Sequence, residues 1–134
     1  MKIVLKLLAL YAFLLCTVCC AAQNKIQKWD MFELTLHGPS AGNPFMGTSF
    51  TGHFTNADKV YDQEGYYDGN GIYVIRFMPD KEGVWNYVTS SNKAELNNKK
   101  GSFECTAPGA NNHGLVRVSN IYHFKYDDGI PVVT

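Results

Sequence analysis

Gly65-Tyr66-Tyr67-Asp68-Gly69-Asn70-Gly71-Ile72-Tyr73-Val74-Ile75-Arg76-Phe77-Met78-Pro79, followed closely by Gly83-Val84-Trp85-Asn86-Tyr87, is the stretch on which the reading of this chain turns. Asp68-Gly69-Asn70-Gly71 supplies residues that accept positive φ, so it predicts a tight reversal between two extended pieces. Ile72 to Met78 is apolar at nearly every position, as expected of a strand covered on both faces. Pro79-Asp80-Lys81-Glu82-Gly83 reads as a turn, and Val84 to Thr89 as the return strand of a hairpin.

The pattern continues on both sides. Upstream, Phe32, Leu34 and Leu36 recur at every second residue and define one face of a strand within Trp29 to Leu36, which Gly38 to Pro44 ends. Thr48, Phe50, Gly52 and Phe54 are in phase across Met46 to Thr55, a second strand, and Val60 opens a third that reaches Tyr67. Downstream, Ser90 to Lys100 is polar and reads as a surface loop or a poorly formed edge. Gly101 to Thr106, Gly114 to Val118 and His123 to Tyr126 are short strands, and Ile130-Pro131-Val132-Val133-Thr134 follows the turn at Asp127-Asp128-Gly129. About seven or eight short strands at this spacing predict an all-β fold, an immunoglobulin-like antiparallel sandwich. Helical periodicity is absent beyond the first 22 residues.

Those first residues differ from the rest. Lys2 and Lys6, an apolar run from Leu7 to Leu15, and small Ala21 and Ala22 make residues 1–22 a secretory signal peptide, with cleavage expected after Ala22. Lipidation at Cys19 or Cys20 is the competing ending, but Thr17 and Val18 match a lipoprotein signal poorly. The expected location is periplasmic or extracellular. Removing 22 residues from 134 leaves 112, a single domain at 23–134. Of the 12 basic residues, Lys2 and Lys6 leave with the leader, so ten face 12 acidic ones and no basic stripe exists for nucleic acid. The domain is too short for a (β/α)8 barrel, which needs roughly 200 residues or more. Of the four cysteines only Cys105 remains, in the alternating Phe103-Glu104-Cys105-Thr106, where a buried inert thiol is expected and no internal disulfide can form.

Catalytic patterns fail on inspection. His37, His53, His113 and His123 have no metal-pair spacing, Gly47 to Gly52 is one residue too long for a nucleophile elbow, and Ser90-Ser91-Asn92-Lys93 lies in a polar loop. Asp127 and Asp128 precede Gly129 and are turn formers, because adjacent residues in extended chain point to opposite faces. Asp62, Glu64 and Asp68 form an acidic stretch without the order of a calcium loop. No catalytic residue, metal or cofactor is assigned. The aromatic residues carry more. Tyr61, Tyr66, Tyr67 and Tyr73 surround the reversal that holds Asp68 and Asn70, and together they are the candidate carbohydrate platform, flat rings for sugar C–H faces and polar groups for hydroxyls. Packing in the sandwich core is the competing role for each ring.

The two stretches quoted first resemble the G-[FY]-[FY]-D-G-x-G…x-R-F-x-P…G-x-W-x-Y core of the domain of unknown function 5060 family. This is an immunoglobulin-like domain that precedes the (β/α)8 barrel in secreted bacterial glycoside hydrolases, including apiosidase-like enzymes. Trp29, Phe32, Asn43-Pro44-Phe45, Gly101-Ser102-Phe103, His113 to Val118 and Phe124 to Pro131 agree with it. The resemblance implies a sandwich with no catalytic residues of its own. It also implies that the final Asp-Gly-x-Pro segment runs on into a barrel, whereas this sequence stops at Thr134, as if truncated before that barrel. Gly83-x-Trp85-x-Tyr87 fits the corner of immunoglobulin sandwiches, with Tyr87 where antibody domains carry a cysteine. Arg76, if buried, would need an acid such as Glu82 or Asp68.

The expected function is a non-catalytic accessory domain of a glycoside hydrolase system, packing against and orienting a barrel partner, with Ile130 to Val133 as docking or continuation strand. The alternative is a carbohydrate-binding module that holds polysaccharide on the tyrosine cluster.

Overall fold

The computed structural model describes residues 24–121 and 123–132; the leader at 1–22, with Cys16, Cys19 and Cys20, and the end pair Val133 and Thr134 lie outside the described residues. In chain order the elements are β1 (Lys25–Gln27), β2 (Phe32–His37), the helical turn α1 (Pro44–Gly47), β3 (Phe50–Asn56), β4 (Lys59–Glu64), β5 (Tyr66–Gly69), β6 (Ile72–Phe77), β7 (Gly83–Ser91), β8 (Lys100–Thr106), β9 (Val116–Asn120) and β10 (His123–Tyr126). One sheet runs β1-β8-β7-β3-β4, the second β2-β6-β5, and β9 and β10 form a separate two-stranded ribbon. The two larger sheets follow the immunoglobulin order, with β2-β6-β5 as strands B, E and D, and β8-β7-β3-β4 as G, F, C and C′. The fold is an all-β sandwich, antiparallel except where β1 pairs parallel to β8 with Ile26 opposite Cys105.

Rings fill the space between the sheets. Phe32 on β2 stacks on Phe103 of β8 with centroids 4.2 Å apart, and Phe77 of β6 stacks on Phe54 of β3 at 4.2 Å. Trp85, Phe54, Phe103, Ile75 and Leu96 are fully buried. Burying one such side chain contributes about 1.5–3 kcal/mol. Trp85 also closes the corner between β6 and β7, because its indole N–H donates to the Lys81 carbonyl at 2.8 Å. Tyr87, at the position where antibody domains place a cysteine, lies 5.6 Å from Phe32 on the facing sheet.

Several expectations need correction. β6 and β7 are not a hairpin: they belong to different sheets, and the segment with buried Pro79 carries the chain across the sandwich. The run from Val60 to Tyr67 is two strands in two sheets, divided at Gly65, whose amide donates to the Phe50 carbonyl at 2.7 Å. A Cβ on Gly65 would strike the Phe50 ring and Ile75, so only glycine lets the chain change sheets here. Pro44 to Gly47 is helical and not strand, since Pro44 opens the turn and the Gly47 amide reaches the Asn43 carbonyl at 2.9 Å. Arg76 is exposed and its acid is Glu33, its direct cross-strand partner, at 2.9 Å; Glu82 and Asp68 are not. The polar stretch after Ser90 hides one core residue, Leu96, whose carbonyl accepts the Thr89 hydroxyl at 2.5 Å.

Candidate functional site

The six residues of the proposed tyrosine platform do not share one surface. Tyr73 faces inward from β6 and is 1% exposed, so its ring offers nothing to a solvent-borne sugar. Its hydroxyl donates to the Pro39 carbonyl at 2.7 Å. Tyr61 lies on β4 in the other sheet, where it packs against Trp85 and donates to Asp80 at 2.8 Å. The same Asp80 oxygen takes the Lys59 ammonium at 2.6 Å. Burial pushes the Asp80 carboxyl up, but these two donors outweigh it and hold it below its ordinary value. Asp68 and Asn70 sit at the exposed reversal, Asn70 with φ 52°, where they shape the turn.

Tyr66, Tyr67 and Tyr73 do converge, together with residues the sequence reading passed over. They line a cavity of about 140 Å³ with Phe45, Thr48 and Gly65. A second hollow of about 260 Å³ shares Phe45, Thr48 and Gly65 and adds Ser49 and Glu64. Phe45 is 71% exposed and stands edge-on to Tyr67, centroids 5.1 Å apart. Tyr67 is fixed in turn by the Gly71 amide, which donates to its hydroxyl at 3.1 Å. The signal in the sequence was Asn43-Pro44 followed by the adjacent apolar pair Phe45 and Met46: a proline at the head of a helical turn throws two large side chains outward.

The ribbon is the second notable surface. Val118 lies opposite Phe124 and Val116 opposite Tyr126, so these four share one face, with Arg117 and Lys125 paired on the other. Val118 is 70% exposed, Val116 53% and Phe124 50%. Beyond the turn, Pro131 bridges Lys125 and the Val132 amide donates to the Phe124 carbonyl at 3.1 Å, so the end segment lies along β10. The base of the ribbon is tied down. Gly114 lies so close to Trp29 and Asp127 that a Cβ there would overlap both, and the Asn112 amide side chain donates to the Lys28 carbonyl at 3.1 Å.

The carboxylates of this region are already engaged. Arg117 binds Asp127 through Nε and holds its carboxyl below the ordinary value. The Ile130 amide does the same for Asp128, which also meets His113 at 2.7 Å. Elsewhere, Lys81 holds Asp58 low. A glycosidase acid needs the opposite, a carboxyl raised toward neutrality. Cys105 is buried, and burial pushes its thiol up to about 11.

A crystal structure from Bacteroides vulgatus ATCC 8482, of a protein provisionally named a glycoside hydrolase, matches with a TM-score of 0.77 and 41% identity, over 82% of this chain and 21% of that one. The chain thus spans about a fifth of that protein. No curated protein sequence matches. The family model described as "Domain of unknown function (DUF5060)" matches residues 25–92, half of the chain and all of the sandwich from β1 to β7. This chain therefore belongs to the DUF5060 family.

Proposed function

We propose that this domain is the non-catalytic accessory part of an exported glycoside hydrolase system, and that it packs against and orients a (β/α)8 catalytic domain. The observation that carries the reading is the ribbon of β9 and β10, which leaves Val116, Val118 and Phe124 half or more exposed. A two-stranded ribbon is marginal in water by itself, and a contiguous apolar face marks a contact surface. The match to a fifth of a larger glycoside hydrolase chain supports the same role. A catalytic domain seated on Val118 and Phe124 would remove both from water. Full burial of each is worth about 1.5–3 kcal/mol.

The test uses the remainder of the Bacteroides vulgatus protein, expressed separately, as the partner. Isothermal titration should give association with this chain, and Val118→Asp with Phe124→Asp should abolish it while the thermal midpoint of the domain stays put. Absence of association, or turnover of an aryl glycoside by this chain alone, overturns the proposal.

A further inference from the structure

We infer that the groove beside α1 is a binding site for one hexopyranose unit of a neutral polysaccharide. The inference stands apart from the ribbon and does not need a catalytic partner. A pyranose presents apolar C–H faces and an equator of hydroxyls, so its site combines ring walls with hydrogen-bonding groups. Here the 140 Å³ cavity is lined by the rings of Phe45 and Tyr66, 71% and 40% exposed. No core packing accounts for the exposure of Phe45, yet its ring is held in place by the edge-on contact with Tyr67. A ring that is both open to solvent and fixed in orientation stacks a ligand at low entropic cost.

The polar complement comes from Thr48, which lines both hollows, and from Glu64, which lines the second. Tyr73 spends its proton on the Pro39 carbonyl, so toward Thr48, 3.4 Å away, its oxygen is the acceptor. Thr48 then keeps oxygen lone pairs for a sugar hydroxyl. Glu64, exposed at the last position of β4, lines the adjoining 260 Å³ hollow, and its carboxylate can accept hydrogen bonds from two hydroxyls. Among the described residues, no lysine or arginine lines either hollow. The Arg76 guanidinium lies 5.6 Å from the Tyr66 ring and is bound to Glu33 at 2.9 Å. A carboxylate without a cation repels uronates and sulfated sugars, which sets the ligand class as neutral.

Native affinity gels test this on the full chain, with mixed-linkage β-glucan, galactomannan and arabinogalactan as neutral probes and polygalacturonate as the acidic one. At least one neutral gel should retard the protein. Phe45→Ala should weaken that retention at least tenfold and Glu64→Gln should weaken it too, with thermal midpoints unchanged because both side chains are on the surface. Val118→Asp should leave retention intact, which separates this site from the ribbon. Unretarded passage through every neutral gel, retention indifferent to both variants, or retention by polygalacturonate alone overturns the inference.

Discussion

Cys105 shows how far one residue's environment governs its chemistry. It faces the core from β8 at 2% exposure, and burial, with the charge of Glu82 adding to it, pushes the thiol from 9.0 up to about 11. The folded state therefore keeps a proton that the unfolded chain releases near pH 9. Stability that is complete below that point declines as pH rises from about 9 to about 11, and Cys105→Ala should remove this part of the alkaline loss. At pH 8 the thiolate population in the folded protein is about a hundredfold below that of the unfolded chain. Iodoacetamide labelling at Cys105, followed by mass spectrometry, should be slowed by at least that factor until denaturant is added. Comparable rates in both states would show that the thiol is open to solvent. The alternation Phe103, Cys105 made this burial legible in the sequence. Arg76 was not so legible, because its partner Glu33 is set by the register of β2 against β6, a pairing between residues far apart in the chain.

At the level of strands, pattern showed where extended chain occurs but not which sheet receives it. The alternation in β2 and β3 and the glycine-rich reversal before β6 were readable, since each is local. The crossing from β6 to β7, the switch at Gly65 and the single-residue anchor Leu96 were not, because each depends on what lies across the sandwich. The same limit applied to the groove: Tyr66 and Tyr67 were named, while Phe45, Thr48 and Glu64 arrive from elements that only the fold brings together. Gly101 illustrates a constraint of this kind. It pairs with Tyr87 across β7 and β8, and a Cβ at this position would run into the tyrosine ring. Gly101→Ala should cost about 1–3 kcal/mol through overpacking. In a Tyr87→Ala background most of that penalty should vanish, and the coupling can be read from denaturant midpoints of the four proteins in the cycle. An undiminished penalty in that background would place the strain in the backbone.

The molecule joins a sandwich closed by stacked rings to a ribbon tied at its base to Trp29 and Lys28. These parts should differ in how they open. Within the sandwich, the amide of the buried Thr89 on β7 donates to the carbonyl of Lys99, just before β8, at 2.9 Å, beside the fully buried Leu96 and in the strand that carries the fully buried Trp85, so its exchange requires loss of the core. On the ribbon side, the Tyr126 amide donates to the Ile130 carbonyl at 2.9 Å and that of Val132 to Phe124 at 3.1 Å, next to side chains that remain in contact with water. Opening there forfeits little apolar burial, while opening at Thr89 forfeits several buried rings at about 1.5–3 kcal/mol each. Hydrogen exchange followed by NMR should therefore find Tyr126 and Val132 at least a hundredfold faster than Thr89, and equal rates would mean that the ribbon unfolds only with the sandwich. If the proposed contact is right, adding the remainder of the Bacteroides vulgatus protein should slow Tyr126 and Val132 and leave Thr89 as it was. A partner seated on the apolar face stabilises the ribbon by mass action without touching the core, whereas protection rising uniformly at all three amides would locate the contact on the sandwich itself.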